Sequence, residues 1–468
     1  MAILLSQAAI VPAANAATIN VGVGGADCTL SDAIRSANQD TVIGSCTAGS
    51  IGADTINIPS QTIMFASAAV DGAQYGDSAL PIVESIITIE GNGSTLERIG
   101  ADPFRIIATD PSSSAFLTLN SITLTNGYAV NGSEGYGGAL YAGGDSSVTI
   151  NNSTIKDSSS LYAGGAIYAF ESRVRINNTT ITGNYAEYGG GIWATENTDI
   201  VISESVISGN SAQGGGGIYM NQSLTLKIID TTVTNNTAID SGGGISLYNG
   251  NNYVQLDVIG STISNNTVSG ITVGSQKGGG IVSYRGDINI TNSTVSGNFA
   301  NGRGSGLYIN AATLNMRNTT VSDNLNVSSI AFSGNYTYPT SATLLNTVVA
   351  NSPGNIDCYV QGVDVTLTAD SSNWFESTTC NGVDSGDPML GGLADNGGPT
   401  YTHLPGVTSG LESAGAVNIC GSVGGRDQRG EFRGTDSCFI GAVEPFADGS
   451  INFFVVPLPS GKSVIFGL

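Results

Sequence analysis

"TTITGNYAEYGGGIWA", residues 179–194, sets an asparagine three positions after an isoleucine, then a glycine run closed by a second isoleucine and an aromatic ring. Close copies return along the chain, so the phrase is a repeat unit whose columns can be aligned. The residue that follows each glycine pair or its variant is Leu140, Ile167, Ile192, Ile218, Ile245, Ile281 and Leu307, and most neighbours lie 25 to 27 positions apart. A second column reads Ile150, Ile176, Ile202, Ile228, Val258, Ile290, Met316, and a third reads Ile155, Ile181, Ile207, Val233, Ile263, Val295, Val321.

Around the second column apolar residues alternate, as in Val174/Ile176, Ile200/Ile202 and Ile288/Ile290, which is the period of a strand with one buried face. Columns two and three stay five residues apart. An odd offset would throw the third column outward on a straight strand, so the chain bends between them. The bend position is Asn152, Asn178, Glu204, Asp230, Gly260, Asn292, Asn318, mostly residues that accept left-handed backbone geometry. Three positions after column three runs Ser158 and then Asn184, Asn210, Asn236, Asn266, Asn298 and Asn324, a candidate ladder of stacked side-chain amides. Each repeat thus supplies three short strands with no helical period between them. The reading predicts an all-β, single-stranded right-handed parallel β-helix, a pectate-lyase-like solenoid that adds about 4.8 Å per coil. A leucine-rich solenoid lacks its consensus here, and the GGxGxDxUx spacing of calcium-binding nonapeptides is absent.

Composition agrees. Of 468 residues, 40% are hydrophobic and 11% charged, enough apolar material for a long core. A formal charge of −22 repels nucleic acid and anionic membrane surfaces. It tolerates structural calcium, while no cofactor and no metal-ligand cluster is indicated. Residues 1–16 read as the apolar part of a secretory signal, with Ala14-Asn15-Ala16 as cleavage site, and no later run approaches the roughly 20 apolar residues of a spanning helix. Location is expected to be extracellular or at a bacterial cell surface. Six cysteines pair by spacing as Cys28 with Cys46, Cys358 with Cys380 and Cys420 with Cys438. Disulfides are favoured over zinc, because no CxxC occurs and His403 is the only histidine.

The ends need covers, since a β-helix exposes a strand edge at each. "CTLSDAIRSAN" (28–38) places Leu30, Ala33, Ile34 and Ala37 on one helical face, with Thr29 or Ser31 as N-cap, and predicts a capping helix. The closing "FFVVPLPSGKSVIFGL" (453–468) predicts a hairpin turning at Pro459-Ser460-Gly461. The expected division is a leader-like segment 1–16, an N-terminal cap 17–60, the β-helix 61–390, a C-terminal cap 391–448 and a terminal hairpin 449–468. "CTLSDA" (28–33) followed by "GADTINIP" (52–59) resembles the signature of CSLREA-domain proteins. "LADNGGPTYTHLPG" (393–406), "DQRG" (427–430) and "IGAVE" (440–444) resemble the distal part of bacterial choice-of-anchor Q surface proteins, and the repeats resemble those of polymorphic outer-membrane adhesins. The resemblance implies an exported right-handed β-helix tethered at its C-terminal side. Phe439 stands where that pattern usually has an acidic residue, and no LPxTG motif follows.

Two groups of residues could carry function. If the first column points inward, Tyr141, Tyr168, Trp193 and Tyr219 point outward on successive coils, a strip of rings suited to the apolar faces of sugars in a polysaccharide or host-surface glycan, or equally to stacking on one another. The irregular coil, with extra residues near 248–253 and 267–278, brings Lys277, Arg285, Arg303 and Asp257 into one neighbourhood, and solenoid insertions often mark a binding face. For catalysis, polygalacturonase-type hydrolases combine NTD, DD, GHG and RIK motifs, a set not found here, and no catalytic residue is assigned. A lyase acting on acidic polysaccharide would draw on Asp257, Asp287 and Arg285. The expectation is an exported adhesive or structural module with glycan contact, with the lyase and a passive stalk as alternatives.

Overall fold

Three apolar columns with fixed offsets leave the chain one economical way to bury them: coil over coil. The computed structural model describes residues 16–23, 27–69, 76–130, 135–248, 254–271, 276–352, 354, 356–380, 385–406, 409–411, 424–434, 438–444, 454–457 and 463–466. The leader-like segment before Ala16, Cys420 and the turn Pro459-Ser460-Gly461 lie outside these residues. The fold is a right-handed parallel β-helix of about 10 turns with one short helix.

Sheet 1 carries column one in ten parallel strands, from Ile107–Ala108 to Cys358–Gly362. Sheets 2 and 3 carry columns two and three and merge into one 23-stranded sheet, because the long strands Ile86–Arg98 and Phe116–Thr125 run across both. Ile150, Ile176, Ile202, Ile228, Val258, Ile290 and Met316 lie in register on neighbouring strands, and all are fully buried. A fourth run departs from the expected three strands per coil. Short strands such as Ser211–Gly214 and Thr237–Ser241 form an eight-stranded sheet 4. Its inward residues are small, among them Ala186, Ala212, Ala238 and Ala300, so no isoleucine column announces it.

The bends are built as the sequence demands. Asn152, Asn178, Glu204, Asp230, Gly260, Asn292 and Asn318 all take positive φ, between 43° and 60°. The next residue in each bend forms a second ladder: the backbone N–H of Ser153, Thr179, Ser205, Thr231 and Ser261 each donates to the hydroxyl one coil on, at 3.1 to 3.3 Å. At the following turn the asparagines stack. Asn210 donates both its backbone N–H and its side-chain amide to Asn236 Oδ1, each at 3.0 Å, and the amide also reaches the Ile181 carbonyl at 3.0 Å. The same bonds run from Asn184 to Asn324. At the glycine corner the coils approach too closely for any side chain: a Cβ on Gly216 would meet the carbonyl oxygens of Gly243 and Thr237 at 2.5 Å.

The helix Leu30–Gln39 closes the N-terminal end. Thr29 accepts from the Asp32 backbone N–H, and Leu30, Ala33, Ile34 and Ala37 join the main core. Disulfides link Cys28 to Cys46 and Cys358 to Cys380; Cys438 is also disulfide-bonded, and its expected partner Cys420 lies outside the described residues. Strands Phe454–Pro457 and Ser463–Phe466 pair antiparallel as the expected hairpin. Among the described residues no helix is long and apolar enough to cross a membrane.

The described residues of the segment expected as a C-terminal cap lie as a strap along the side wall. Its described residues contact the outer face of sheet 3 over successive coils at Thr262, Thr294, Thr320 and Val348. Gln428 donates to the Ser261 carbonyl and Thr262 Oγ1 and accepts from Thr294. Asp427 holds Arg429 at 2.7 Å, and Arg433 pairs with Glu444 at 3.2 Å, all four buried. His403 is buried between strap and wall, with Nδ1 2.7 Å from the Gly391 carbonyl and Nε2 2.8 Å from Ser296 Oγ.

Replacing Asn236 by leucine leaves the Asn210 backbone N–H and the Ile207 carbonyl without those partners. A loss of about 3 kcal/mol is expected in denaturant titration. Burial is the largest influence on His403 and holds its pKa below the ordinary imidazole value, against the opposing pull of the Gly391 carbonyl and the Asp323 carboxylate. The folded state therefore prefers neutral imidazole, so the contribution is intact above the unfolded pKa and is lost as pH falls below it. Melting followed from about pH 7 to about pH 5 should show a downward slope that His403→Gln removes in part.

Candidate functional site

Residues that follow column one point away from the core. The register stacks Tyr141, Tyr168, Trp193 and Tyr219 on successive strands of sheet 1, and the same file continues through Ser246, Val282, Tyr308, Ala331 and Tyr359. The four expected rings are thus brought together, and they also face one another. Tyr168 stacks on Tyr141 at 5.3 Å, Trp193 meets Tyr168 and Tyr219 edge-on at 5.8 Å each, and Tyr168 is only 8% exposed. Tyr168 is therefore corrected from a contact residue to a packing residue, covered by Tyr136 at 4.7 Å. Tyr141, Trp193 and Tyr219 are half-buried. Burial pushes the Tyr168 and Tyr219 hydroxyls well above their ordinary range, and the Tyr284 hydroxyl to about 12.

The sequence reading missed rings on both flanks. Tyr136 and Tyr188 lie four positions before column one, across the glycine corner, and touch Trp193 at 6.2 and 5.9 Å. Where the file turns small at Ser246 and Val282, the rings reappear two residues later. Tyr248 and Tyr284 are 6.2 Å apart, and Tyr284 is 6.0 Å from Tyr308. The available signal was the strand period itself, because positions one and three after the column share a face. Together the rings form a ribbon that steps sideways and then back as it follows the helix axis.

Lys277 and Arg303 are bridge partners on adjacent coils, continuing the file of Ser241 at the glycine corner. Lys277 Nζ sits 4.6 Å from the Tyr308 ring centre, and the Arg303 guanidinium 4.3 Å from that of Tyr359, with a further bond to Gln361. Burial raises the Tyr308 pKa, but hydrogen bonds with Ser333, Lys277 and Asn310 together with the charge of Lys277 outweigh it and leave the phenol below its usual value. The other two residues expected in this neighbourhood do not join. Arg285 lies at the far end of the strand Ile281–Tyr284, stacked 3.8 Å over Tyr338. Asp257 faces out from sheet 2, accepting from Gln255 and Asn289 and lying 3.8 Å from Lys227. Of the residues a lyase would draw on, Asp257 and Asp287 lie on neighbouring strands two positions out of register, Asp287 accepts from the backbone of Thr313, and the Arg285 guanidinium is turned onto Tyr338.

A shallow cleft of about 320 Å³ lies at the corner between sheets 1 and 2, lined by Asp145, Glu171, Arg173, Asn197, Asp199 and their neighbours. It contains the triplet Asn197-Thr198-Asp199, an NTD motif that the sequence reading passed over and that stands without the DD, GHG and RIK companions. Among the described residues no group of three or more His, Cys, Asp or Glu side chains is placed to hold a metal ion.

Comparison with known proteins bears on the fold. Residues 107–263 match the family model of the right handed beta helix region. No curated protein sequence matches the chain. Among solved structures, the chain is similar to a point mutant of the periplasmic alginate epimerase AlgG, with 13% identity, 67% of this chain and 75% of that chain covered, and a TM-score of 0.48. It is similar to pectate lyase Pel9A at 14% identity, with 84% and 88% covered and a TM-score of 0.42. It is also similar to PfbA, a surface adhesin of Streptococcus pneumoniae, at 13% identity, with 75% and 91% covered and a TM-score of 0.29.

Trp193 touches Tyr136, Tyr168, Tyr188 and Tyr219. Trp193→Ala should cost about 2 kcal/mol, read as a lowered denaturation midpoint, because ring contacts and partly buried area are lost together.

Proposed function

We propose that this chain is an exported β-helix protein, secreted or held at the cell surface, that serves as an adhesive or structural module and holds an extended glycan along the outward face of sheet 1. The observation that carries the reading is the ribbon of rings from Tyr136 to Tyr308, kept in place by ring-to-ring packing before any ligand arrives. Ring faces and edges attract the C–H groups of sugars, and a surface already ordered loses little freedom on binding. Export is supported by the apolar leader-like segment and by the disulfides. Membership of the CSLREA-domain and choice-of-anchor Q proteins is part of the proposal. It rests on the capping helix that begins in "CTLSDA" and on the strap, which contains all three distal motifs.

A polysaccharide lyase is the second reading. The lowered Tyr308 phenol beside Lys277 favours it, but Tyr308 is 2% exposed, which leaves its hydroxyl little access to a sugar. A passive stalk would bind nothing.

Tyr248 is 49% exposed and touches the ribbon through Tyr284, so it can be removed with little effect on packing. Tyr248→Ala should weaken retention on immobilised polysaccharide by about tenfold, with melting nearly unchanged. Unsaturated products, seen as rising ultraviolet absorbance with uronic-acid polymers, would instead establish the lyase, and no retention on any polymer would leave the stalk.

A further inference from the structure

Like charges placed opposite each other on neighbouring strands repel. The chain has 37 acidic and 15 basic residues, so a neutralising carboxylate is the commonest partner available to it. Yet Lys277 and Arg303 stand in register on adjacent coils, and among the described residues neither makes an ion pair. Each is instead laid on a ring, which fixes the charge without neutralising it. An unneutralised and immobilised pair of cations beside a sugar-sized ribbon has the properties of an anion subsite awaiting its ligand.

Resting on the glycan reading above, we infer that the polymer is acidic, and that Lys277 and Arg303 each meet a carboxylate or sulfate group on every second sugar. The spacing follows from the rungs. Tyr308 and Tyr359 are separated by Ala331 in the same file, two strand spacings apart, so the cations above them are about 10 Å apart. That is close to the step of one disaccharide along an extended chain. Arg303 presents a planar fork able to take a carboxylate or sulfate through two parallel hydrogen bonds, and Lys277 a point charge. The ring faces of Tyr284 and Tyr248 continue the path toward the N-terminal coils, where the apolar faces of the sugars would lie. The net charge of −22 opposes an anionic polymer at a distance, but beyond about 8 Å that field is screened at physiological ionic strength, so the local cations decide the contact.

The test uses the full chain and three probes: hyaluronan, with one carboxylate per disaccharide; polygalacturonate, with one on every sugar; and neutral dextran. The parent protein should bind hyaluronan more tightly than either of the others. The double variant Lys277→Gln/Arg303→Gln should lose on the order of 10- to 100-fold in hyaluronan affinity, with melting and any dextran binding unchanged. Arg303→Lys, which keeps the charge and loses the fork, should fall between the two. A double variant that binds hyaluronan as well as the parent does, or a parent that prefers dextran or polygalacturonate, overturns the inference while leaving the glycan reading in place if Tyr248→Ala still weakens binding. If the parent binds none of the three polymers, both fall together.

Discussion

Every coil of this molecule has to turn several times inside a stack where the coils above and below exclude water. A turning backbone exposes N–H and C=O groups that its own strand cannot satisfy, and burying them unpaired would cost more than the apolar columns contribute at that point. The asparagine ladder from Asn184 to Asn324 answers this constraint, because one side-chain oxygen accepts both the backbone and the amide N–H of the preceding coil. The hydroxyl file through Thr179, Ser205 and Thr231 does the same at the other bend. Each coil is therefore completed by its successor, and the axial register is fixed by polar groups as much as by isoleucines.

That register sets the outer surface as well. Rings placed on equivalent strand positions arrive about one strand spacing apart, close enough to pack on each other, so the features that suit a sugar chain also suit self-packing. Tyr168 shows the conflict resolved toward packing, and Tyr248 shows it resolved toward solvent. Under the proposed glycan reading, recognition would fall to the margins of the ribbon, where a ring is held by one neighbour rather than several, and to the cations that lean on its far end.

Much of the fold was legible because the repeat is written in large residues at fixed offsets: Ile176 over Ile202 over Ile228 needs no coordinates to be seen as a file. Sheet 4 was not legible, since its alanines look like turn residues when read alone. The candidate site was half legible. The period of two placed Tyr141 and Trp193 outward, but Tyr136 and Tyr188 reach the same face from across a glycine corner whose angle the sequence does not state. Lys277 and Arg303 were found as rare charges and prove to be register partners, whereas Arg285, eight positions along, is carried to the far end of its strand. The course of the strap was not legible for a simpler reason. Its motifs specify a buried polar network, and nothing in one sequence says which wall that network closes against.

The strap changes how the molecule would come apart. In a stack whose units touch only their neighbours, separation can begin at any weak interface and travel by single steps. A segment fastened by Gln428 to Thr262 and Thr294, by Arg433 to Asn292, and by the Gly441 amide to Asn346 ties distant layers into a single block that must open together or not at all. Tension applied to the C-terminal side would load that block in shear and spare the individual rungs.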